Sequence, residues 1–222
     1  MINVIAYKCN SVNQQLFNQF YCHVSQKRRD KADKYRFQSD SIRSVCGEML
    51  VLLAFQKAYG FCDSKLIFEN GIYGKPYIRN FRQFHFNISH SGDWVVCAAA
   101  NFPVGVDVEL IDKAKINIAD ICFSSIEVKQ LSEQQIISKR EELFFYFWTS
   151  KESYIKCTGY GLQAPLNSFS VINNVIHIGN TKSNYHINPL YLDKKHALAV
   201  CCDKIIKPHL HIVTDNELMK LI

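Results

Sequence analysis

The chain has 222 residues and a mass of 25.6 kDa, the scale of one large domain or of two closely packed halves of roughly 100 residues each. With 48% hydrophobic and 21% charged residues it can fill a sizeable core, which excludes a disordered chain. The net charge of +6 favours anionic partners, while the lack of any run near ~18 apolar residues excludes a membrane-spanning helix.

Met1–Asn10 lacks the basic start and long apolar centre of a signal peptide. The nine cysteines are odd in number and show no CxxC spacing, so they read as reduced thiols in a cytoplasmic protein. Val4–Cys9 reads as a short strand. The polar stretch from about Val12 to Arg36 permits helix and carries Lys27, Arg28, Arg29, Lys31, Lys34 and Arg36; charge alone leaves a solvated face and an anion-binding face equally open.

A stronger helix is expected from about Ser39 to Tyr59, where Ile42, Val45, Cys46, Met49, Leu52 and Leu53 follow a 3.6-residue stripe. Ser39 or Asp40 suits its start and Gly60 its stop. The period then changes. Leu66-Ile67-Phe68, Phe84–Ser89 and Trp94–Ala100 read as strands, with His90-Ser91-Gly92-Asp93 as the tight turn between the last two. Val104–Leu110 follows as a strand. Helices are expected at about Ser125–Leu131 and Arg140–Cys157, then strands at Phe169–Ile172, Val175–Ile178, Tyr185–Asn188 and Ala197–Cys202. Helix-then-strands thus occurs twice, which points to an α+β fold of two halves meeting near residues 103 and 104.

Three segments carry chemistry. In Gly105-Val106-Asp107-Val108-Glu109 the carboxylates stand at i and i+2 of a strand and share one face. Such a pair suits a hard divalent cation with phosphate oxygens, although an exposed acidic edge strand gives the same pattern. In Trp148–Lys156, Glu152 and Lys156 are helical neighbours, either a surface ion pair or a proton acceptor beside a phosphate-neutralising amine. In Phe86–Gly92, Ser89, His90 and Ser91 read either as a phosphate cradle with exposed backbone N–H groups or as an ordinary turn.

In this order, FNISHSGDWVVCA, PVGVDVE and FWTSKESYIKCTGYGL closely resemble the Sfp-type 4′-phosphopantetheinyl transferases. Tyr73-Gly74-Lys75-Pro76 upstream and Pro165–Val171 downstream extend the resemblance over about residues 25–202. The resemblance implies two similar halves, 1–103 and 104–222, related by a pseudo-twofold axis, with a cleft between them. It implies transfer of phosphopantetheine from coenzyme A to a serine of an apo carrier protein, peptidyl or acyl, with release of adenosine 3′,5′-bisphosphate.

By the same resemblance, Asp107, Glu109 and Glu152 are the ligands of Mg²⁺, with Mn²⁺ as the other metal. Asp107, Glu152 and Lys156 are the catalytic group, with Glu152 taking the serine proton. Arg28, Lys31, Arg43, Ser44, Ser89 and His90 are implied contacts to the coenzyme A phosphates. Tyr73, Gly74, Lys75 and Pro76 lie at its adenine, and Lys156 with Lys151 at its pyrophosphate. A monomer serving nonribosomal peptide or polyketide synthesis, with the carrier docked near Cys157–Leu166, completes the expectation.

Other functions fit less well. A different phosphoryl transferase needs a phosphate loop, and no GxxxxGK[ST] is present. For nucleic-acid binding, the aromatics are not interleaved with the basic residues as stacking platforms require, and the Asp107–Glu109 pair would go unexplained. A catalytically silent relative does not need Asp107, Glu109, Glu152 and Lys156 together.

Overall fold

The computed structural model describes residues 1–61, 66–112, 117–159, 161 and 165–222. Strand β1 (Asn3–Lys8) is followed by helices α1 (Gln14–His23), α2 (Gln26–Ala32) and α3 (Gln38–Tyr59). Strands β2 (Phe68–Asn70) and β3 (Pro76–Ile78) make a small ribbon, and β4 (His85–Ser91) and β5 (Trp94–Ala100) a hairpin. The second half opens with β6 (Val104–Leu110), then α4 (Ala119–Cys122), α5 (Ser125–Glu133) and α6 (Ile137–Thr158). Strands β7 (Phe169–Ile172), β8 (Val175–Ile178), β9 (Thr181–Asp193) and β10 (His196–Cys202) follow. Two last elements, β11 (His209–Val213) and α7 (Asp215–Met219), close the chain.

The strands form two sheets, β11-β1-β5-β4 and β6-β10-β9-β8-β7. Both halves follow one plan, as expected. A first strand leads to a helix of 22 residues and then to a hairpin whose second strand lies antiparallel beside the first, β5 on β1 and β10 on β6. Alternation does the sorting within each strand. Val4, Ala6, Val96 and Ala98 face Val104, Val106, Val108 and Val200 in a core between the two sheets. Ile5, Val95 and Cys97 point the other way, onto Met49, Leu50 and Leu53 of α3. Ala199 and Cys201 likewise meet Phe144, Phe147 and Ile155 of α6.

Gly105 decides how closely α6 approaches β6. A Cβ there would sit 2.0 Å from the Ser153 carbonyl oxygen and 2.4 Å from the Cys157 nitrogen. Only a residue without a side chain lets the helix backbone rest on the strand, and that contact brings Glu152 and Lys156 to the carboxylates of β6.

The structure differs from the sequence expectations at several points. The 12–36 stretch is two helices, the second capped by Ser25, whose side chain accepts from the Arg28 backbone N–H. Helix α3 starts without a side-chain cap, from Phe37 rather than Ser39 or Asp40, although Gly60 ends it with φ 77° as expected. Strand β4 runs on to Ser91, so His90 and Ser91 are strand residues and only Gly92-Asp93 turns. Strand β9 is far longer than Tyr185–Asn188, and Pro189 lies where β8 no longer pairs with it, so no ladder bond is lost.

The second half also does not keep its C-terminus. Strand β11 pairs in parallel with the outer edge of β1, and Leu218 and Leu221 enter the core under α3. That edge of β1 would otherwise present unpaired backbone groups, so residues 209–221 belong structurally to the first half.

Candidate active site

The cleft forms where β4 meets β6. The two strands are not joined by a backbone ladder. Alternate side chains of β4 take that place: Asn87 Oδ1 accepts from the Val106 N–H at 2.8 Å, Ser89 Oγ from Val108 at 3.3 Å and Ser91 Oγ from Leu110 at 2.9 Å. Both strands have a period of two, so three polar side chains on one face match three N–H groups on the facing edge.

This seam carries the carboxylates. Ser89 donates its hydroxyl to Asp107 Oδ1 at 2.9 Å, and Ser91 donates to Glu109 at 3.0 Å. Lys156, reaching down from α6, donates to the same Asp107 Oδ1 at 2.5 Å and to Ser89 Oγ at 3.0 Å. Asp107 is 2% exposed, and its second oxygen is buried without a hydrogen-bond partner. An orphaned carboxylate oxygen in a buried site is costly unless a cation meets it.

Burial pushes the Asp107 pKa up to about 6, against the pull of Lys156 and with a further push from Glu109. Burial also raises the Glu152 pKa; Lys156 opposes that shift and Glu109 adds to it. Glu109 and Lys156 therefore act on both Asp107 and Glu152, which places the two carboxylates on either side of one charged cluster. Among the described residues no three His, Cys, Asp or Glu side chains are gathered at metal-binding spacing. The orphaned Asp107 oxygen is nevertheless a hard donor of the kind that Mg²⁺ takes, and the charge of Glu109 is felt at both Asp107 and Glu152.

A cavity of about 240 Å³ opens beside this cluster, lined by Glu152, Ile155 and Lys156 on one wall and by Tyr73, Gly74 and Lys75 on the other. It abuts a second cavity of about 150 Å³ across the Gly74 turn, lined by Lys27, Arg28, Lys31, Asn70 and Pro76. A basic surface thus leads past a backbone turn to the carboxylates. That arrangement can hold an anion at one end and a phosphate ester at the other.

Several expected residues are placed otherwise. Lys151 is fully buried and points away from the cleft; its ammonium meets Glu127 at 2.8 Å, the Leu166 carbonyl at 2.8 Å and the Phe169 carbonyl. It is one helix position from Glu152, and that rotation turns it into the core, so it does not reach a pyrophosphate in the cleft. Lys75 lines the 240 Å³ cavity and a further one of about 480 Å³, but its ammonium bonds the Val104 and Cys157 carbonyls at 3.0 Å each. It ties the Tyr73–Pro76 turn to the second half rather than facing outward.

Ser89 and His90 point to opposite faces because they are strand neighbours, and the Ser89 hydroxyl is committed to Asp107. The exposed-backbone cradle expected at residues 89–92 is absent for the same reason. His90 stays exposed near Arg43, and partial enclosure with the neighbouring Arg43 and Lys156 charges lowers its pKa. Arg43 itself bonds the Gly92 carbonyl at 3.1 Å and Asp40 at 2.5 Å. Arg28 and Ser44 do come together, at 3.1 Å. The expected carrier-docking segment Cys157–Leu166 falls partly outside the described residues, at 160 and 162–164.

Two participants were not anticipated: Asn87, which starts the seam, and Glu48, which holds Arg28 at 3.0 Å. The alternation Asn87, Ser89, Ser91 was legible as a polar strand face. Nothing in the helical stripe marked Glu48 as buried.

Comparison with known proteins gives the chain a family. Residues 11–102 match the family profile described as 4′-phosphopantetheinyl transferase, N-terminal, and residues 103–201 that of the 4′-phosphopantetheinyl transferase superfamily. A 4′-phosphopantetheinyl transferase of Bacillus subtilis is 37% identical, over 80% of this chain and 81% of its own. The transferase psf-1 of Bacillus pumilus is 35% identical over 89% of this chain and 88% of its own. The transferase Sfp of Bacillus subtilis (strain 168) is 32% identical over 88% and 89%.

Proposed function

The chain belongs to the 4′-phosphopantetheinyl transferases, and on that premise we propose that it moves the phosphopantetheine arm of coenzyme A onto a serine of an apo peptidyl or acyl carrier protein of nonribosomal peptide or polyketide synthesis. The observation that carries this reading is the seam: a buried Asp107 with one orphaned oxygen, braced by Ser89 and Lys156, at the end of a basic cleft.

In this reading Asp107, Glu109 and Glu152 would hold Mg²⁺, or Mn²⁺, which supplies positive charge to the coenzyme A pyrophosphate. Lys156 neutralises phosphate charge from the cavity wall, and its bond to Ser89 fixes its position. Glu152 accepts the carrier serine proton; its raised pKa brings it toward the range where a carboxylate works as a base. The serine oxygen forms a new bond to phosphorus while the bond to adenosine 3′,5′-bisphosphate breaks. Arg28, Lys31, Arg43 and His90 bind the phosphates at the basic end, Ser44 acts there by holding Arg28, and Tyr73, Gly74 and Pro76 form the turn beside the adenine.

Both halves of the cleft come from one chain, so a monomer suffices. No helix among the described residues is long and apolar enough to cross a membrane. The acidic carrier is drawn by the net charge of +6. The test is incubation with coenzyme A, Mg²⁺ and a panel of apo-carriers, followed by mass spectrometry of each carrier. One phosphopantetheine on the serine of a peptidyl or acyl carrier is expected; no addition to any carrier overturns the reading.

A further inference from the structure

We propose that Glu48, a residue with no part in the chemistry, is the positioning residue that presents Arg28 to the anionic end of the substrate. This rests on the reading that the cleft takes coenzyme A.

Glu48 lies in the middle of α3 and is 2% exposed. Its carboxylate accepts from the Ser25 backbone N–H at 2.5 Å, from the Ser25 hydroxyl at 3.1 Å and from Arg28 Nε at 3.0 Å. One buried group thus fixes the first turn of α2 and the side chain that projects from it. Ser44, one turn earlier on the same face of α3, takes Arg28 Nη1 at 3.1 Å. The guanidinium is therefore held by two groups on a rigid helix, beside the 150 Å³ cavity that it lines with Lys27, Lys31 and Gly74.

The contrast with its neighbours is what assigns the role. Lys27 and Lys31 line the same cavity but are exposed, whereas the Arg28 side chain is 18% exposed and doubly braced. An arginine freezes several rotors when it grips an anion, and a planar fork already held in place loses less on binding. A bare buried carboxylate so near a phosphate site would repel the ligand. Paired with Arg28 and the Ser25 donors, it instead leaves the net charge of the cavity wall to the cations.

The experiment measures binding of adenosine 3′,5′-bisphosphate and of neutral adenosine by calorimetry, for the native chain, Glu48→Gln, Arg28→Ala and the double variant. Glu48→Gln is expected to weaken the bisphosphate about 5- to 10-fold, the scale of one ordered side chain, and to leave adenosine unchanged. Arg28→Ala should weaken it at least as much, and adding Glu48→Gln to it should cost nothing more. Ser44→Ala, which leaves the buried carboxylate untouched, should show a smaller loss that also vanishes without Arg28. A purely structural Glu48 gives the opposite pattern: a lower Tm, equal losses for adenosine and bisphosphate, and the same factor with or without Arg28. Either additive cycle overturns the proposal. Binding is read without any carrier, so this result stands apart from whether transfer occurs.

Discussion

Each half of the molecule buries an ion pair under its long helix and ties it to a serine at the start of a shorter one. In the first half Glu48 of α3 holds Arg28 and the donors of Ser25. In the second, Lys151 of α6 holds Glu127, whose carboxylate also takes the Ser124 N–H and hydroxyl and the Val171 N–H. The difference is where the cation goes. Arg28 opens on the cleft, while Lys151 and Glu127 are both 0% exposed. The first pair leaves its cation at the cleft, where the proposed reading puts a phosphate; the sealed pair pins α5, α6 and the entry to β7 together, directly behind Glu152.

The two ion pairs should differ most in what their loss does to stability. Lys151→Met leaves Glu127 buried without a cation and should cost about 3–5 kcal/mol in urea unfolding. Adding Glu127→Gln should recover part of that, because the charge is gone while the one amide oxygen still accepts from the Ser124 donors, at the expense of the Val171 N–H.

The carboxylate at the seam comes next. The unfolded Asp107 ionises near the ordinary carboxyl value of 3.8 and the folded one at about 6, so between those values the folded chain keeps a proton the unfolded chain has lost. Its contribution to stability therefore falls as pH rises across that window, by up to roughly 3 kcal/mol, and is flat above it. Mg²⁺ needs the ionised carboxylate, so its affinity should climb over the same window. Unfolding and Mg²⁺ titrations between pH 4 and 8 read both effects, and Asp107→Asn should flatten the first.

Smallest is Arg28→Ala. Glu48 keeps its Ser25 donors and the site opens to water, so about 1–2 kcal/mol is expected. A loss equal to that of Lys151→Met would mean that the two pairs do the same work.

Most of the fold was legible in the sequence because its elements obey strong periods. Trp94–Ala100 and Val104–Leu110 alternate or stay apolar between clear breaks, and both appear with those bounds. The return of β11 to β1 was not legible, since pairing in parallel across 200 residues leaves no local mark. Its flank did carry one: Thr214 and Glu217 form a capping box at the start of α7.

At the site, spacing placed Asp107 and Glu109 on one face and Glu152 beside Lys156, but it could not tell Lys151 from its neighbours. On α6 a step of one residue separates the cleft from the core. Only the closeness of α6 to Gly105 fixes which of the two a given side chain meets.

In the proposed reading the seam carboxylate makes transfer by this chain depend on a metal ion. The direct test is the rate of carrier modification against Mg²⁺ concentration, for the native chain and for Asp107→Asn with an unchanged far-ultraviolet spectrum. Saturable Mg²⁺ dependence is expected in the native chain, with a rate at least about 100-fold lower in the variant at every concentration. A variant within about threefold of the native rate would contradict it.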